Sequence, residues 1–286
     1  MRTLAHDSAF WRRLAHAGAR HGPLFWLKYS PPVFGVAFAL ALREQRRKVR
    51  DTLRWVQGDQ GLVREQRQLF ATFIEYAQCL AEGLAVERPE AERAVHRLSG
   101  AQFLHAALAG GRGALLVTAH AGPWDAAAKL LSSSIDRPAV VVMEGEADPN
   151  AQELHDGVRT RAGVRIVHVG GHPLDGLPLL RELRAGGVVA VQLDRGAPSG
   201  RGISVQLFGR DFVVPEGPFR LAALAGAPIV PLFARRSGHF EYDLVAYPAI
   251  ELPRNAREPE LKVAAQTATD AMARFIAQYP TQWFHF

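Results

Sequence analysis

The chain has 286 residues, of which 48% are hydrophobic and 22% charged, enough for one sizeable α/β core and too few for two generous domains. Its formal charge of +6 suits a polyanionic partner, whether nucleic acid, anionic lipid or an acidic carrier. Zinc-finger spacing, basic-zipper heptads and RNA-binding aromatic signatures are all missing from the sequence, so membrane or carrier is favoured over nucleic acid. The single cysteine, Cys79, excludes an intramolecular disulfide and a cysteine-based metal cluster.

The opening residues carry charge early and lack an apolar stretch followed by a cleavage site, so export is not expected. Residues 31–42 (PPVFGVAFALAL) form the strongest apolar run, about a dozen residues where a spanning helix needs about twenty. An aromatic shoulder, Phe25 and Trp26, precedes it, and Arg43, Arg46, Arg47, Lys48 and Arg50 follow. Two readings stay open: an interfacial anchor on an anionic leaflet, or a helix buried against the rest of the protein.

Residues 42–84 read as helix, with Val49, Leu53 and Val56 and then Leu69, Phe73, Ile74 and Ala77 at helical spacing. Residues 93–109 read as a further helix closed by Gly110-Gly111-Arg112-Gly113. Short apolar runs bounded by turn residues then predict buried strands at 114–118, 139–143, 165–169, 187–193, 203–207, 229–233 and 242–246. Helical stretches fall between several of them, at 124–132, 150–162, 177–185 and 218–225, and a last helix at 258–278. The alternation predicts an α/β fold: a mixed, largely parallel sheet of about seven strands flanked by helices, with an N-terminal helical layer. The expected organisation is a helical, membrane-associating extension at residues 1–90 and a catalytic region at 91–286, together one structural domain.

The strand at 114–118 runs into His120, and Gly122-Pro123 open the next helix. His120 therefore stands at a strand's C-terminal end, where α/β sheets collect their ligands. Asp125 falls in that helix's first turn, which favours a carboxylate. Within one helix the two would point roughly 140° apart, so the Gly-Pro turn is what lets them pair. A histidine with an orienting carboxylate and no serine partner suggests a base that activates a nucleophile supplied by substrate. The sequence has no G-x-S-x-G elbow, P-loop or dinucleotide fingerprint. His168 and His172 flank a glycine turn unsuited to a metal, and Arg159, Arg161 and Arg165 read as a solvated basic face.

His120 and Asp125, with four residues between them, resemble the hallmark of the lysophospholipid acyltransferase superfamily. Its later blocks resemble Val191-Gln192-Leu193-Asp194-Arg195, Val214-Pro215-Glu216-Gly217 and Gly226-Ala227-Pro228-Ile229-Val230-Pro231. Within the superfamily, residues 202–210 and the closing 279–285 look most like the bacterial lipid A late acyltransferases, while Asp194-Arg195 and Glu216 read more like the glycerolipid enzymes. The resemblance implies acyl transfer from an acyl-carrier protein or coenzyme A thioester to a hydroxyl or amine of a lipid acceptor. It implies no metal or redox cofactor, a monomer, and work at the cytoplasmic face of the inner membrane. Carried over by position, His120 and Asp125 are catalytic, and Asp194, Arg195, Glu216 and Gly217 bind substrate. Arg201, in the loop Ser199-Gly200-Arg201-Gly202, is suited to gripping phosphate, with ordinary hairpin geometry as the rival reading of that loop. Arg195 has a rival reading as Asp194's ion-pair partner, Glu216 as a helix cap, and Gly217 is read as permitting a tight turn beside ligand. A non-catalytic lipid- or carrier-binding protein and a thioester hydrolase are the alternatives.

Overall fold

The computed structural model describes residues 16–123, 139–144, 164–170, 174–196 and 201–286, together with Gln152, Asp156, Gly157 and Thr160. Nine strands are described: β1 Val95–Ser99, β2 Ala114–Thr118, β3 Ala139–Glu144, β4 Arg165–Val169, β5 Val188–Gln192, β6 Gly202–Leu207, β7 Arg210–Pro215, β8 Ile229–Gly238 and β9 Glu241–Ala246. Seven build one sheet in the order β1-β9-β8-β2-β5-β3-β4, parallel except where β9 runs against β8. The other two, β6 and β7, form a separate hairpin.

The central strands read as unbroken apolar runs because both of their faces are covered. On β2, Leu115 and Val117 enter one core with Leu183, Val189, Phe219, Ile229 and Leu261. Ala114 and Leu116 enter the opposite core with Leu104, Val188, Val230 and Leu232. The covering helices are α4 Ala101–Leu108, α5 Gly176–Arg184, α6 Gly217–Ala225 and α7 Glu258–Gln278.

Two strands were not expected. Residues 95–99 carry a helical pattern, yet they pair parallel with β9 at the sheet's edge and end at Gly100. A Cβ on Gly100 would lie 2.2 Å from the Ala246 carbonyl, and its φ of +77° further favours glycine. The second, β7, pairs Val213 and Val214 with Ser204 and Ile203.

The long helices α1 Leu24–Ala41, α2 Arg43–Gln57 and α3 Leu62–Leu84 come before the sheet in the chain. The continuous pattern across 42–84 breaks in the linker between α2 and α3, where Gly58 and Gly61 take positive φ. Helix α1 begins well before the apolar run, so its 18 residues extend about 27 Å, long and apolar enough by length and composition to cross a membrane. Its buried residues, Leu27, Pro31, Gly35 and Ala39, recur every four positions. Gly35 allows the close approach to α3, since a Cβ there would meet the Ile74 Cα and the Phe73 carbonyl at 2.8 Å. The remaining surface exposes Phe25, Trp26, Tyr29, Val33, Phe34 and Leu40. Arg46 donates to the Ala39 and Leu40 carbonyls at 2.7 and 2.6 Å, closing the end of α1.

Helix α3 is fastened to the sheet through Glu82, which is 2% exposed. Its carboxylate accepts hydrogen bonds from Arg236 Nε (2.9 Å), the Tyr242 hydroxyl (2.8 Å) and the Phe240 backbone N–H (3.3 Å), with His239 Nδ1 at 3.2 Å. A carboxylate so deeply buried is tolerated because its acceptor sites face donors on β8, β9 and their turn.

Candidate active site

Strands β2 and β5 are parallel neighbours in a register that sets Thr118 opposite Gln192. The ladder runs one step further, through a hydrogen bond from Leu193 N–H to the Thr118 carbonyl at 2.9 Å. His120 and Asp194 each follow these paired residues by two positions, so they emerge side by side at the sheet's C-terminal edge. Their side chains meet: His120 Nδ1 lies 2.8 Å from Asp194 Oδ1.

The second carboxylate oxygen, Oδ2, accepts the His120 backbone N–H at 3.0 Å and the Trp283 indole N–H at 2.9 Å. Asp194 is fully buried and His120 retains 19% side-chain exposure. Burial pushes the Asp194 carboxyl upward. The hydrogen bond and charge of His120, the indole of Trp283 and the His120 backbone N–H more than offset it, and the group is held below the ordinary aspartate range.

Arg195 brings its Nε to 3.4 Å from the same His120 Nδ1. A donor there needs a lone pair on Nδ1, whereas the carboxylate needs a proton on it. The carboxylate contact is shorter and charge-assisted, so it sets the tautomer: Nδ1–H points at Asp194, and the lone pair is on Nε2. Arg195 then places positive charge beside the imidazole.

The closing segment of the chain completes the arrangement. Trp283 bridges Ala121 in antiparallel fashion, Gly122 N–H donates to the Gln282 carbonyl (2.9 Å), and Phe284 N–H donates to the His120 carbonyl (2.8 Å). Gly122, at φ +57°, is required there, because a Cβ would stand 2.4 Å from the Ala234 carbonyl and 2.8 Å from the Arg235 Cα. Trp283 stacks on His285 with ring centroids 4.8 Å apart, and Trp55 of α2 packs 5.6 Å from Trp283. Burial pushes the His285 imidazole below the usual histidine value. Asp194 opposes the change, and Arg195 and His120 add to it.

Sequence reasoning missed Trp283, His285 and Trp55 as parts of this site. The run Gln282-Trp283-Phe284-His285 was the available signal, since polar-tipped aromatics crowded into a closing segment need partners for their N–H groups.

Asp194 calls for a correction. Expected against substrate, it is enclosed and turned to His120, because a buried carboxylate takes the nearest N–H donors. The rival ion pair between Arg195 and Asp194 gives way to the same contact. Asp125 and Trp124, like Arg159, Arg161, His172, Ser199 and Gly200, lie outside the described residues.

Glu216, Gly217 and Arg201 form a second group. Glu216 N–H donates to the Arg201 carbonyl at 2.9 Å, closing the base of the β6–β7 hairpin. The Glu216 carboxylate makes no side-chain cap to α6 and pairs instead with Arg220, one helical turn on. Gly217 is the first residue of α6 and is not among the glycines of positive φ. The tight-turn reason for a glycine therefore does not apply to it, and the space where a Cβ would sit is open. His168 pairs with Asp156 at 2.7 Å. Among the described residues, no group of three or more His, Cys, Asp or Glu side chains is placed to hold a metal ion.

The family described as bacterial lipid A biosynthesis acyltransferase matches residues 19–286. The chain is 28% identical over 187 residues to a phosphatidylinositol mannoside acyltransferase of Mycobacterium tuberculosis, covering 65% of this chain and 57% of that protein. It is 24% identical over 216 residues to a protein of the same name from Mycolicibacterium smegmatis, covering 74% of this chain and 69% of that one. The match thus spans a little over half the length of the first relative. Among solved structures, the 1-acyl-sn-glycerophosphate acyltransferase PlsC of Thermotoga maritima is similar at TM-score 0.39 and 12% identity, covering 81% of this chain and 97% of that one.

Proposed function

We propose that this chain, which belongs to the bacterial lipid A biosynthesis acyltransferase family, transfers a fatty acyl group from a thioester to a hydroxyl of a lipid acceptor, with His120 as the base. The observation that carries this reading is the contact of His120 Nδ1 with the buried Asp194 carboxylate. It directs the lone pair of Nε2 to the acceptor O–H. His120 takes that proton as the acceptor oxygen attacks the thioester carbonyl carbon. The tetrahedral intermediate then collapses, the C–S bond breaks, and the departing sulfur takes the proton from the imidazolium. Asp194 holds the ring and stabilises its transient positive charge. Asp125 is tested beside Asp194, by exchange of each for asparagine.

Arg195, beside the imidazole, binds an anionic group of donor or acceptor, and Arg201 and Glu216 border the acceptor's head. The curated relatives are named for a mannose-bearing phospholipid, which supports a sugar-bearing lipid as acceptor. Acyl-carrier protein and coenzyme A are the donors to compare, and no further cofactor enters the scheme. The exposed apolar face of α1, with Arg43, Arg47 and Lys48 exposed just beyond it, supports docking in the headgroup layer of an anionic leaflet, at the cytoplasmic face of the inner membrane.

The deciding experiment incubates the full chain with acyl-coenzyme A or acyl-carrier protein and a membrane lipid extract, following thiol release and acylated lipid by mass spectrometry. His120→Ala abolishes both signals while leaving Tm within a few degrees. Full transfer by that variant refutes the assignment of the base. Free fatty acid forming equally fast without lipid would mean a hydrolase, and no thiol release with either donor a binding protein.

A further inference from the structure

We propose that Trp283 is a positioning residue for the reaction: its indole N–H, together with the His120 backbone N–H, holds Oδ2 of Asp194 so that Oδ1 alone meets the imidazole. The proposal rests on His120 acting as the base.

A carboxylate carries two equivalent oxygens and rotates about its Cβ–Cγ bond. Two N–H donors converge on Oδ2, one from the catalytic loop itself and one from a residue 89 positions away in sequence. Together they fix the carboxylate plane and leave one oxygen for Nδ1. The indole is in turn fixed from several directions. Its backbone bridges Ala121, and the hydrogen bonds of Gly122 to Gln282 and of Phe284 to His120 lie on either side. Its ring is 1% exposed, packed among Ala119, Ala121, Phe233 and Phe275. Trp55 is anchored by donation to the Leu207 carbonyl at 3.1 Å, and Thr52 donates to the His285 carbonyl at 2.9 Å. The tail that carries Trp283 is thereby bolted to α2 and the hairpin as well as to the catalytic loop.

The donor also acts electrostatically. An N–H aimed at a carboxylate stabilises its charged form and lowers its basicity. Among the described residues, the charged or titratable groups around the pair are Asp194 and Arg195 from the loop after β5 and His285 from the closing segment. Helix α2 contributes the uncharged Trp55 and Thr52, with Arg210 over the Trp55 ring at 5.7 Å. Removing the indole N–H therefore raises the basicity of Asp194 with the other neighbours unchanged. The acid limb of the pH profile, which belongs to the coupled pair, moves to higher pH.

The test replaces Trp283 in the full chain by 3-benzothienylalanine, which keeps the fused ring and exchanges N–H for sulfur, with Trp283→Phe in parallel. The expected result for the benzothienyl protein is a Tm near wild type and KM unchanged for both substrates. Its kcat falls by about 10- to 100-fold, and the acid limb of kcat/KM moves up by about one pH unit. Wild-type kcat with an unmoved acid limb in the benzothienyl protein overturns the proposal and reduces Trp283 to packing. Wild-type transfer by His120→Ala in the same assay overturns the assignment of the base on which it rests, and the two failures are read from different proteins.

Discussion

Asp194→Asn is the sharpest perturbation of the site, because its outcome follows from counting donors. Oδ2 receives two N–H groups, at 2.9 and 3.0 Å, so in the variant only the amide oxygen fits there. The amide nitrogen is forced to the place of Oδ1, 2.8 Å from His120 Nδ1, where it donates a hydrogen bond. A donor facing Nδ1 requires the lone pair on Nδ1 and drives the proton to Nε2. The imidazole stays in place but presents N–H to the acceptor hydroxyl and no longer accepts its proton. The loss in kcat is on the order of 10³- to 10⁴-fold, or ~4–5.5 kcal/mol of transition-state stabilisation. Stability changes by only about 1–2 kcal/mol, since each hydrogen bond has a replacement. Initial rates of thiol release with acylated lipid quantified by mass spectrometry measure the first quantity, urea unfolding the second, and nitrogen NMR of the histidine ring the tautomer. More than a tenth of wild-type kcat in a variant shown to carry the Nε2–H tautomer refutes the reasoning.

Gly122→Ala adds a positive-φ penalty and a Cβ 2.4 Å from the Ala234 carbonyl, so it costs about 3 kcal/mol or more, read as a Tm roughly 6–12 °C lower in calorimetry. Glu82→Ala strands the largely buried Arg236 guanidinium and destabilises by about 3–5 kcal/mol in urea, while Glu82→Met combined with Arg236→Met recovers only part of that loss, because the Tyr242 hydroxyl and the Phe240 N–H stay without their acceptor. Asp243 shows the same sign of linkage as Asp194. Burial acts upward on its carboxyl, but Arg97 and Arg235 hold it below the ordinary range. Its contribution is therefore full above about pH 4, where the unfolded carboxyl has already ionised, and is lost as pH falls through the folded value. Exchanging Arg97 and Arg235 for glutamine moves the acid-unfolding midpoint, followed by circular dichroism, to higher pH.

Much of the fold was legible because buried parallel strands write themselves as short apolar runs. The runs at 114–118, 139–143, 165–169 and 187–193 became β2 to β5 with small shifts at their ends. The long helix α7 spans the residues its pattern indicated, 258–278. Residues 93–109 misled because an edge strand with half-exposed side chains carries no strong apolar signal, and only pairing with β9 makes β1 a strand. The break between α2 and α3 turned on the backbone freedom of Gly58 and Gly61, which a periodic apolar pattern on either side conceals. In α1, Pro31 and Pro32 open the apolar run, yet both lie inside the helix, with Pro31 on the face turned to α3.

By itself the sequence determined the class of fold and singled out His120, because a histidine just beyond a buried strand and before a Gly-Pro turn is a local feature. The carboxylate that meets His120 was decided by the tertiary structure alone. Asp194 lies 74 residues away, and it reaches the imidazole because β2 and β5 are neighbours in a register that pairs Thr118 with Gln192. Trp283, 89 residues further on, joins them only because the closing segment pairs with the loop that carries His120. Strand order and register arise from the packing of the whole core, and no local pattern of residues encodes them.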